Sequence, residues 1–490
     1  MLFNSVDFLL FFPVVTLLYF LLPHEIRWIW LLGASYYFYM CWNPKYALLM
    51  ALSTGITYLS GLLIAGAERE GGEKRRVRLR KLWVALSFLS NLAILFFFKY
   101  WGFFWDNVEG TLGLAGIGLR RPAFDVMLPV GISFYTFQAL SYTMDVYRGE
   151  VPAERNFFRY ALFVSFFPQL VAGPIERSKN LLCQVRERHT FDANRARSGL
   201  LLMLWGYIQK MVIADRAAVV VNTVFDSYNQ MPWWAILAGT VLFAVQIYCD
   251  FGGYSNLAIG AARVMGFRLM ENFRQPYLSR SCGEFWRRWH ISLSTWFRDC
   301  LYIPLGGNRK GKRRKYLNLL ITFLASGLWH GASWNFVVWG GINGIYQIAG
   351  EVSRPAREKT WAALGLGRWK RLRGAVQVAV TFVLIDFAWL FFRAPSLLTA
   401  LDILRHALTG GAAGAVSLGL AGPELRVMLL SIVVLIGVDL AGTRVQIPAK
   451  IMALPLPVRW IIYLAGIYAV LIFGMYGPGF SESQFIYFQF

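Results

Sequence analysis

Long apolar runs alternate with short polar or basic segments along the whole chain. A membrane-spanning helix needs about twenty mostly apolar residues, and candidate spans lie near residues 3–22, 28–41, 46–66, 82–104, 126–147, 157–175, 199–224, 233–266, 316–330, 332–350, 374–393, 425–442 and 457–475. Some of these runs are too short or too polar to cross a bilayer alone. We therefore expect roughly eleven transmembrane helices plus re-entrant or interfacial helices that are buried in protein. The pattern predicts an all-α polytopic membrane protein.

The charged residues are concentrated between the apolar runs. The 490-residue chain is 57% hydrophobic and only 16% charged, yet its formal net charge is +22. Lys and Arg cluster at residues 68–81, 308–316 and 353–373, and the positive-inside rule places such loops in the cytoplasm. Because no nucleic-acid-binding motif accompanies this charge, we expect a lipid bilayer and no nucleic acid as partner.

The segment SGLWHGASWN, residues 326–335, places a histidine at the end of an apolar run. Basic loops bracket residues 316–350, so this part of the chain should enter the membrane and return, with His330 near its apex. About fifteen helical residues carry the chain roughly 22 Å from the cytoplasmic end. A histidine at that depth is costly unless it is paired or functional, which makes His330 a candidate site residue.

A second unusual stretch is EFWRRWHISLSTWFRDCLYIPLGG, residues 284–307. Helical spacing places His290 on one apolar face with Trp286, Leu293 and Phe297. The density of charge argues against a lipid-exposed span and predicts an interfacial or re-entrant helix. At this point His290 has two interpretations, a packed core histidine or a functional one.

A third stretch, QIYCDFGGYSNLAIGAARVMGF at residues 246–267, has polar residues inside an apolar run, among them Asp250, Tyr254 and Arg263. Intramembrane ionisable groups face the interior of a helix bundle and mark sites or structural pairs. Asp250 is therefore either the partner of an arginine or a residue that shapes a site, and the sequence favours neither.

The loop GGNRKGKR, residues 306–313, matches part of the P-loop pattern but has an arginine where magnesium binding needs Ser or Thr. ATP hydrolysis is therefore not expected. The basic side chains Arg309, Lys310, Lys312 and Arg313 beside a membrane face suit an anionic cytoplasmic partner, either lipid head groups or the phosphates of a coenzyme.

Several other chemistries lack support in the sequence. The five cysteines form no C-x-x-C pair, so neither disulfides nor a metal site is predicted. No G-x-S-x-G motif occurs, which argues against a covalent serine mechanism. Two histidines beside tryptophans remain, and transfer of an activated acyl group to a hydroxyl needs only a base and donors for the oxyanion.

The run FWRRWHISLSTWFRDCLYIPLGGNR followed by LASGLWHGASWNFVVWG resembles the membrane-bound O-acyltransferase family. Four further segments are similar to its bacterial alginate O-acetyltransferase branch: LPVGISFYTFQALSYTMDVYRGE (128–150), FFPQLVAGPIER (166–177), QIYCDFGGYSNLAIG (246–260) and FIYFQF (485–490). The resemblance covers nearly the whole chain. Cys300 stands where the branch usually has tyrosine, and Asn343 where a histidine often follows the W-G pair.

The resemblance implies a single acyltransferase domain over residues 1–490, with N-terminal helices (1–125), a catalytic core (126–350) and C-terminal helices (351–490). The family fold is a ring of helices around a thin centre, where a donor tunnel from the cytoplasm meets an acceptor funnel from outside. The resemblance further implies a multi-pass protein of the bacterial cytoplasmic membrane. Such a protein would use acetyl-CoA or another acyl thioester as donor substrate and would bind no cofactor. An extracytoplasmic polysaccharide-modifying acetyltransferase or esterase-like protein is the expected partner.

The resemblance also assigns roles to residues. His330 is expected to be the catalytic histidine and His290 the supporting one. Acetyl-CoA would dock near Arg309, Lys310, Lys312 and Arg313, while the candidates for shaping the site or steadying the oxyanion are Asn335, Asp250, Tyr254 and Trp329.

Other functions remain open from the sequence. The same fold could transfer D-alanine to teichoic acid or acetyl to peptidoglycan. A transporter or flippase would use the two histidines as proton-relay groups, although the absence of an internal repeat weakens that interpretation. A scaffold would tolerate the loss of His330.

Overall fold

The computed structural model describes residues 1–69, 72–118, 122, 128–171, 173–365, 369–410, 416–477 and 486. Within these ranges all regular secondary structure is helical, and each predicted apolar run contains a helix. The chain forms two compact units, Met1–Leu200 with Ala258–Met270 and Leu201–Leu257 with Glu271–Phe490. The predicted boundaries at residues 125 and 350 stay a prediction, because compactness does not test which segment carries catalysis.

The first unit contains α1 (Val6–Leu21), α2 (His24–Met40), α3 (Pro44–Gly66), α4 (Glu73–Leu95), α5 (Trp101–Leu114), α6 (Ile132–Tyr147), α7 (Phe157–Ser165), α8 (Phe167–Leu170) and α9 (Ser178–Gln184). Helices α10 (Ala193–Tyr207) and α12 (Trp233–Met265) contribute residues to both units. A π-helical segment, Phe96–Tyr100, joins α4 to α5.

The second unit contains α11 (Asp215–Asp226), α13 (Cys282–Arg288), α14 (Ile291–Phe297), α15 (Gly311–His330), α16 (Trp334–Val352), α17 (Arg354–Ala363), α18 (Lys370–Arg393), α19 (Leu397–Thr409), α20 (Gly422–Gly442), α21 (Ile447–Met452) and α22 (Leu456–Phe473). π-Helical turns at Ile208–Ala214 and Arg298–Tyr302 precede α11 and follow α14.

Six helical stretches of the described chain are long and apolar enough to cross a membrane: Pro44–Gly66, Glu73–Leu114, Trp233–Met265, Lys370–Arg393, Gly422–Gly442 and Leu456–Phe473. The predicted all-helical, multi-pass architecture is confirmed. The finer prediction of roughly eleven spans stays a prediction.

Buried polar side chains tie the helices of the first unit together. On α4, Asn91 accepts a hydrogen bond from the Ser53 hydroxyl at 2.6 Å and donates to the Ser87 carbonyl at 2.9 Å. Asp145 of α6 accepts from Ser178 at 2.7 Å and lies 3.7 Å from the Arg177 guanidinium. Helices in lipid satisfy their own backbone hydrogen bonds and gain little from apolar contact alone. Side-chain hydrogen bonds such as these therefore help to fix which helix faces meet.

Helices α15 and α16 pack closely because glycines lie at their crossing. A Cβ atom at Gly327 would lie 2.2 Å from the Phe336 carbonyl oxygen, and one at Gly340 would lie 2.3 Å from the Phe323 carbonyl oxygen. No side chain fits at either position, so the two backbones touch. This contact fixes the end of α15 against α16.

Candidate functional site

His330 is the last residue of α15, and Gly331 leaves the helix in an extended conformation. Its side chain is 4% exposed. The centroid of its ring lies 4.9 Å from that of Trp329, 5.1 Å from that of Trp339 and 5.3 Å from that of Phe392. Aromatic rings on three helices therefore enclose the imidazole and exclude bulk water from it.

His290 lies between two short helices and is fully buried. Its backbone is left-handed, with φ 41° and ψ 55°, and its carbonyl accepts the Ser294 N–H that begins α14. The prediction of one continuous helical face through Trp286, His290 and Phe297 is wrong. The chain is extended at Trp289 and turns at His290, so α13 and α14 have separate axes.

The structure brings the two histidines together. Their ring centroids are 6.3 Å apart, and that of Trp329 is 6.0 Å from His290. Phe251 of α12 meets His290 edge to face at 4.7 Å. An apolar enclosure disfavours an imidazolium ion, so this histidine pair, His290 and His330, is suited to base chemistry on a desolvated substrate.

Four tryptophans form a cluster beside the histidine pair. Ring centroids are 5.6 Å apart between Trp286 and Trp339, 5.7 Å between Trp339 and Trp389, and 5.0 Å between Trp389 and Trp289. The Trp286 indole donates to the Asn343 amide oxygen at 3.1 Å. Asn343, one of the two departures from the family pattern, thus holds one member of this tryptophan cluster.

Asp250 is paired with a lysine. Its carboxylate lies 2.6 Å from the Lys210 ammonium, which also contacts Asp215 at 2.8 Å. The cation beside Asp250 is thus a lysine and not the arginine that the sequence offered as an alternative, and Arg263 donates to the Ser198 hydroxyl at 3.0 Å. All three members of this Lys210 cluster are at most 4% exposed, and burial makes such charges depend on one another.

Two neighbours connect the Lys210 cluster to other parts of the second unit. The Lys210 ammonium lies 5.7 Å from the centre of the Tyr254 ring. The second carboxylate oxygen of Asp250 accepts the Ile486 backbone N–H at 2.8 Å. Apart from Ile486, the FIYFQF segment lies outside the described residues.

The Asn335 side chain is buried at the start of α16. Its amide donates to the carbonyls of Phe391 and Ala394, at 3.2 and 2.8 Å. Both amide hydrogens are thus engaged with the end of α18, and use of Asn335 as an oxyanion donor requires one of these bonds to break. The oxyanion role stays a prediction.

The predicted donor-binding side chains Arg309, Lys310, Lys312 and Arg313 are all exposed. They surround the first residue of α15, which is roughly 28 Å from His330 along the helix at 1.5 Å per residue. The Asn318 amide donates to the Gly307 carbonyl at 2.9 Å and anchors this loop to α15. One helix therefore connects the basic loop to the histidine pair.

Sequence reasoning missed Phe251, Trp339 and Phe392 as neighbours of the histidines. Phe251 directly follows Asp250, and Trp339 belongs to the segment that carries the resemblance, so both had a local signal. Phe392 had none, since α18 reaches His330 only through tertiary packing. Among the described residues, no group of three or more His, Cys, Asp or Glu side chains could hold a metal ion.

A family model described as MBOAT, membrane-bound O-acyltransferase family, matches residues 149–394. The chain belongs to the membrane-bound O-acyltransferase family, as its motifs predicted, and is a multi-pass membrane acyltransferase that uses an acyl donor. It is 43% identical over 401 residues to a probable alginate O-acetylase of Pseudomonas putida, an alignment that covers 81% of this chain and 78% of that protein.

Two further relatives extend this comparison. A probable alginate O-acetylase of Pseudomonas aeruginosa is 41% identical over 403 residues, which cover 82% of this chain and 73% of that protein. A peptidoglycan O-acetyltransferase of Helicobacter pylori is 33% identical over 441 residues, which cover 83% of this chain and 79% of that protein.

Proposed function

We propose that this protein takes an acetyl group from acetyl-CoA in the cytoplasm and passes it across the membrane for O-acetylation of an alginate-like exopolysaccharide or another cell-envelope polysaccharide. The observation that carries the proposal is the buried histidine pair at one end of α15, 6.3 Å between ring centroids, with a basic loop at the other end. The two relatives named alginate O-acetylases support the choice of acceptor.

In the proposed mechanism, acetyl-CoA binds its phosphates to Arg309, Lys310, Lys312 and Arg313 and extends its thioester toward His330. His330 removes the proton from an acceptor hydroxyl as the hydroxyl oxygen attacks the thioester carbon. The C–O bond forms, the C–S bond breaks, and the imidazolium returns its proton to the departing thiolate.

The surroundings of His330 would assist this step. A backbone N–H or the Asn335 amide would stabilise the oxyanion, which in a water-excluded site accounts for much of the rate enhancement. His290 supports the catalytic histidine, while Trp329, Asp250 and Tyr254 shape the site. The apolar enclosure of the histidine pair also protects the activated acyl group from hydrolysis.

The finer architecture belongs to the same proposal. Roughly eleven spans would surround a thin centre in the bacterial cytoplasmic membrane, with a donor tunnel and an acceptor funnel that meet at His330. An extracytoplasmic acetyltransferase or esterase-like partner would place the acetyl group on the polymer. The basic residues lie at the start of α15 and His330 at its end, which supports a donor that enters from the side of the basic loop.

The test uses the purified protein in sealed vesicles, with labelled acetyl-CoA on the side of the basic loops and alginate with its modifying partner on the other. Wild type should deliver labelled acetyl to the far side, and His330→Ala should abolish delivery. His406→Ala is the matched control, because His406 is a half-buried histidine that hydrogen-bonds to the Met231 carbonyl at 3.0 Å and does not belong to the histidine pair.

The choice of donor and acceptor also identifies rival functions. Label on peptidoglycan fragments but not on alginate would show that peptidoglycan is the acceptor, in line with the Helicobacter pylori relative. Transfer from a D-alanyl thioester but not from acetyl-CoA would show that the protein uses a D-alanyl donor. Translocation of an intact substrate that follows an imposed proton gradient, without acyl turnover, would support a transporter.

A further inference from the structure

We propose that Asn272 is a positioning residue that holds His290 in its active conformation. The inference rests on the proposed function, because it assigns Asn272 a part in acetyl transfer. Asn272 precedes α13 in the chain, is 1% exposed, and does not touch the reacting atoms in the proposed mechanism.

Asn272 binds the two residues that follow His290. Its backbone carbonyl accepts the Ile291 N–H at 3.0 Å. Its amide oxygen accepts the Ser292 hydroxyl at 2.6 Å and lies 3.4 Å from the Ser292 backbone nitrogen, which also donates to it. One asparagine therefore fixes the first turn of α14 through both its backbone and its side chain.

The other end of the Asn272 amide binds α12. Its nitrogen donates to the Ser255 hydroxyl at 3.0 Å. Ser255 lies four residues after Phe251, so both side chains project from the same face of α12. Phe251 contacts the His290 ring directly. The buried Asn272 side chain therefore joins α12, which packs against the His290 ring, to the first turn of α14, which follows His290.

His290 needs such support because its backbone conformation is unfavourable. A left-handed conformation is unfavourable for a residue with a Cβ atom, because the Cβ crowds the following carbonyl oxygen. Strained residues persist only where the surrounding structure fixes them, and they concentrate at functional sites. Without the Asn272 bonds, the turn at His290 would relax and the imidazole would leave its place beside Trp329 and His330.

The test compares Asn272→Ala with a matched control, Asn91→Ala. Asn91 is equally buried and makes the same two kinds of bond, accepting from a serine hydroxyl at 2.6 Å and donating at 2.9 Å, but it lies in the first unit. For Asn272→Ala, kcat for acetyl transfer should fall about tenfold or more, with KM for acetyl-CoA within about twofold of wild type. Asn91→Ala should lose comparable thermal stability while its kcat stays within about twofold of wild type.

A second measurement does not depend on acetyl transfer. Diethyl pyrocarbonate modifies accessible imidazoles, and mass spectrometry reports its rate at each histidine. His290 should be protected in wild type and in Asn91→Ala, and should react several-fold faster in Asn272→Ala. If wild type transfers no acetyl, the proposed function fails, and this measurement still decides whether Asn272 positions His290.

Three outcomes would overturn the inference. In the first, Asn272→Ala keeps both its kcat and the protection of His290. In the second, Asn272→Ala loses kcat while His290 stays protected. In the third, Asn91→Ala loses as much kcat as Asn272→Ala, which would show a general folding role. If Asn272→Ala does not fold, Ser292→Ala removes only the hydroxyl bond and is subjected to the same two measurements with the same criteria.

Discussion

His290 and His330 lie in one enclosure although they belong to separate helical elements, with 6.3 Å between their ring centroids. His330 ends a long helix, whereas His290 occupies a strained turn between two short ones. The position of each imidazole is therefore set by different packing, and substitutions can displace one without the other.

The left-handed turn at His290 makes a prediction about stability. Both His290→Ala and His290→Gly should lose acetyl transfer, but the glycine variant should be more stable than the alanine variant by about 1 kcal/mol, because glycine adopts φ 41° without a Cβ clash. Thermal unfolding in detergent measures the difference. Equal stability, or a more stable alanine variant, would show that the turn relaxes once the imidazole is gone.

The glycine contact between α15 and α16 should control the position of His330. Gly327→Ala places a methyl group 2.2 Å from the Phe336 carbonyl oxygen, so the helices must separate, with a loss of about 1–3 kcal/mol of stability and most of the activity. Gly350→Ala on α16 is the control, since a Cβ there meets nothing within 4 Å.

The control should keep activity and gain up to about 1 kcal/mol from helix propensity. Unfolding temperatures and acetyl-transfer rates of the two variants test this. A Gly327→Ala protein as active as the Gly350→Ala protein would contradict the assigned close contact.

The exposed basic loop should act on donor binding alone. Replacement of Arg309, Lys310, Lys312 and Arg313 by alanine should raise KM for acetyl-CoA about tenfold at low salt and leave kcat nearly unchanged, because exposed ion pairs contribute about 0.2–1 kcal/mol each. The dependence of KM on salt should weaken in parallel.

Replacement of Lys74, Arg75, Arg76 and Arg78 removes the same charge from another exposed basic segment. This control should leave KM within about twofold of wild type if the effect is local. A similar rise in KM for both quadruple variants would show a general electrostatic attraction and not a donor site.

The Lys210 cluster should be strongly coupled. Lys210→Met leaves Asp215 and Asp250 buried without their shared cation, at a cost of about 3 kcal/mol or more. Lys210→Met combined with Asp250→Asn should recover part of that loss, since the Asn carbonyl can still accept the Ile486 N–H. Chemical or thermal unfolding of the single and double variants measures the coupling, and additive losses would argue against a shared charge cluster.

The apolar pattern of the sequence was sufficient to predict where the helices lie. Each helix that crosses a lipid bilayer needs a similar length of mostly apolar residues, so one rule applies along the whole chain. It also located His330, since a polar group at the end of an apolar run stands out against its neighbours. Family motifs added His290. In each case the signal lay within a short stretch of chain.

The turn at His290 was not predictable by the same reasoning. Helical periodicity assumes that the helix continues, and nothing in WRRWHIS marks the left-handed residue as a glycine would. The partners of Asp250 and the neighbours of Asn272 come from segments distant in the chain, and only tertiary packing selects them. The structure was needed to show these contacts, whereas the sequence pattern indicated mainly which residues to expect in the candidate site.

The tryptophan cluster beside the histidine pair has a spectroscopic consequence. Closely packed indoles in a fixed, asymmetric arrangement give a strong near-ultraviolet circular dichroism signal, which disappears when tertiary packing is lost while helices remain. Trp339 belongs to this cluster and also contacts His330 at 5.1 Å. The integrity of the site can therefore be followed optically in protein without donor or acceptor, separately from the far-ultraviolet signal of the helices.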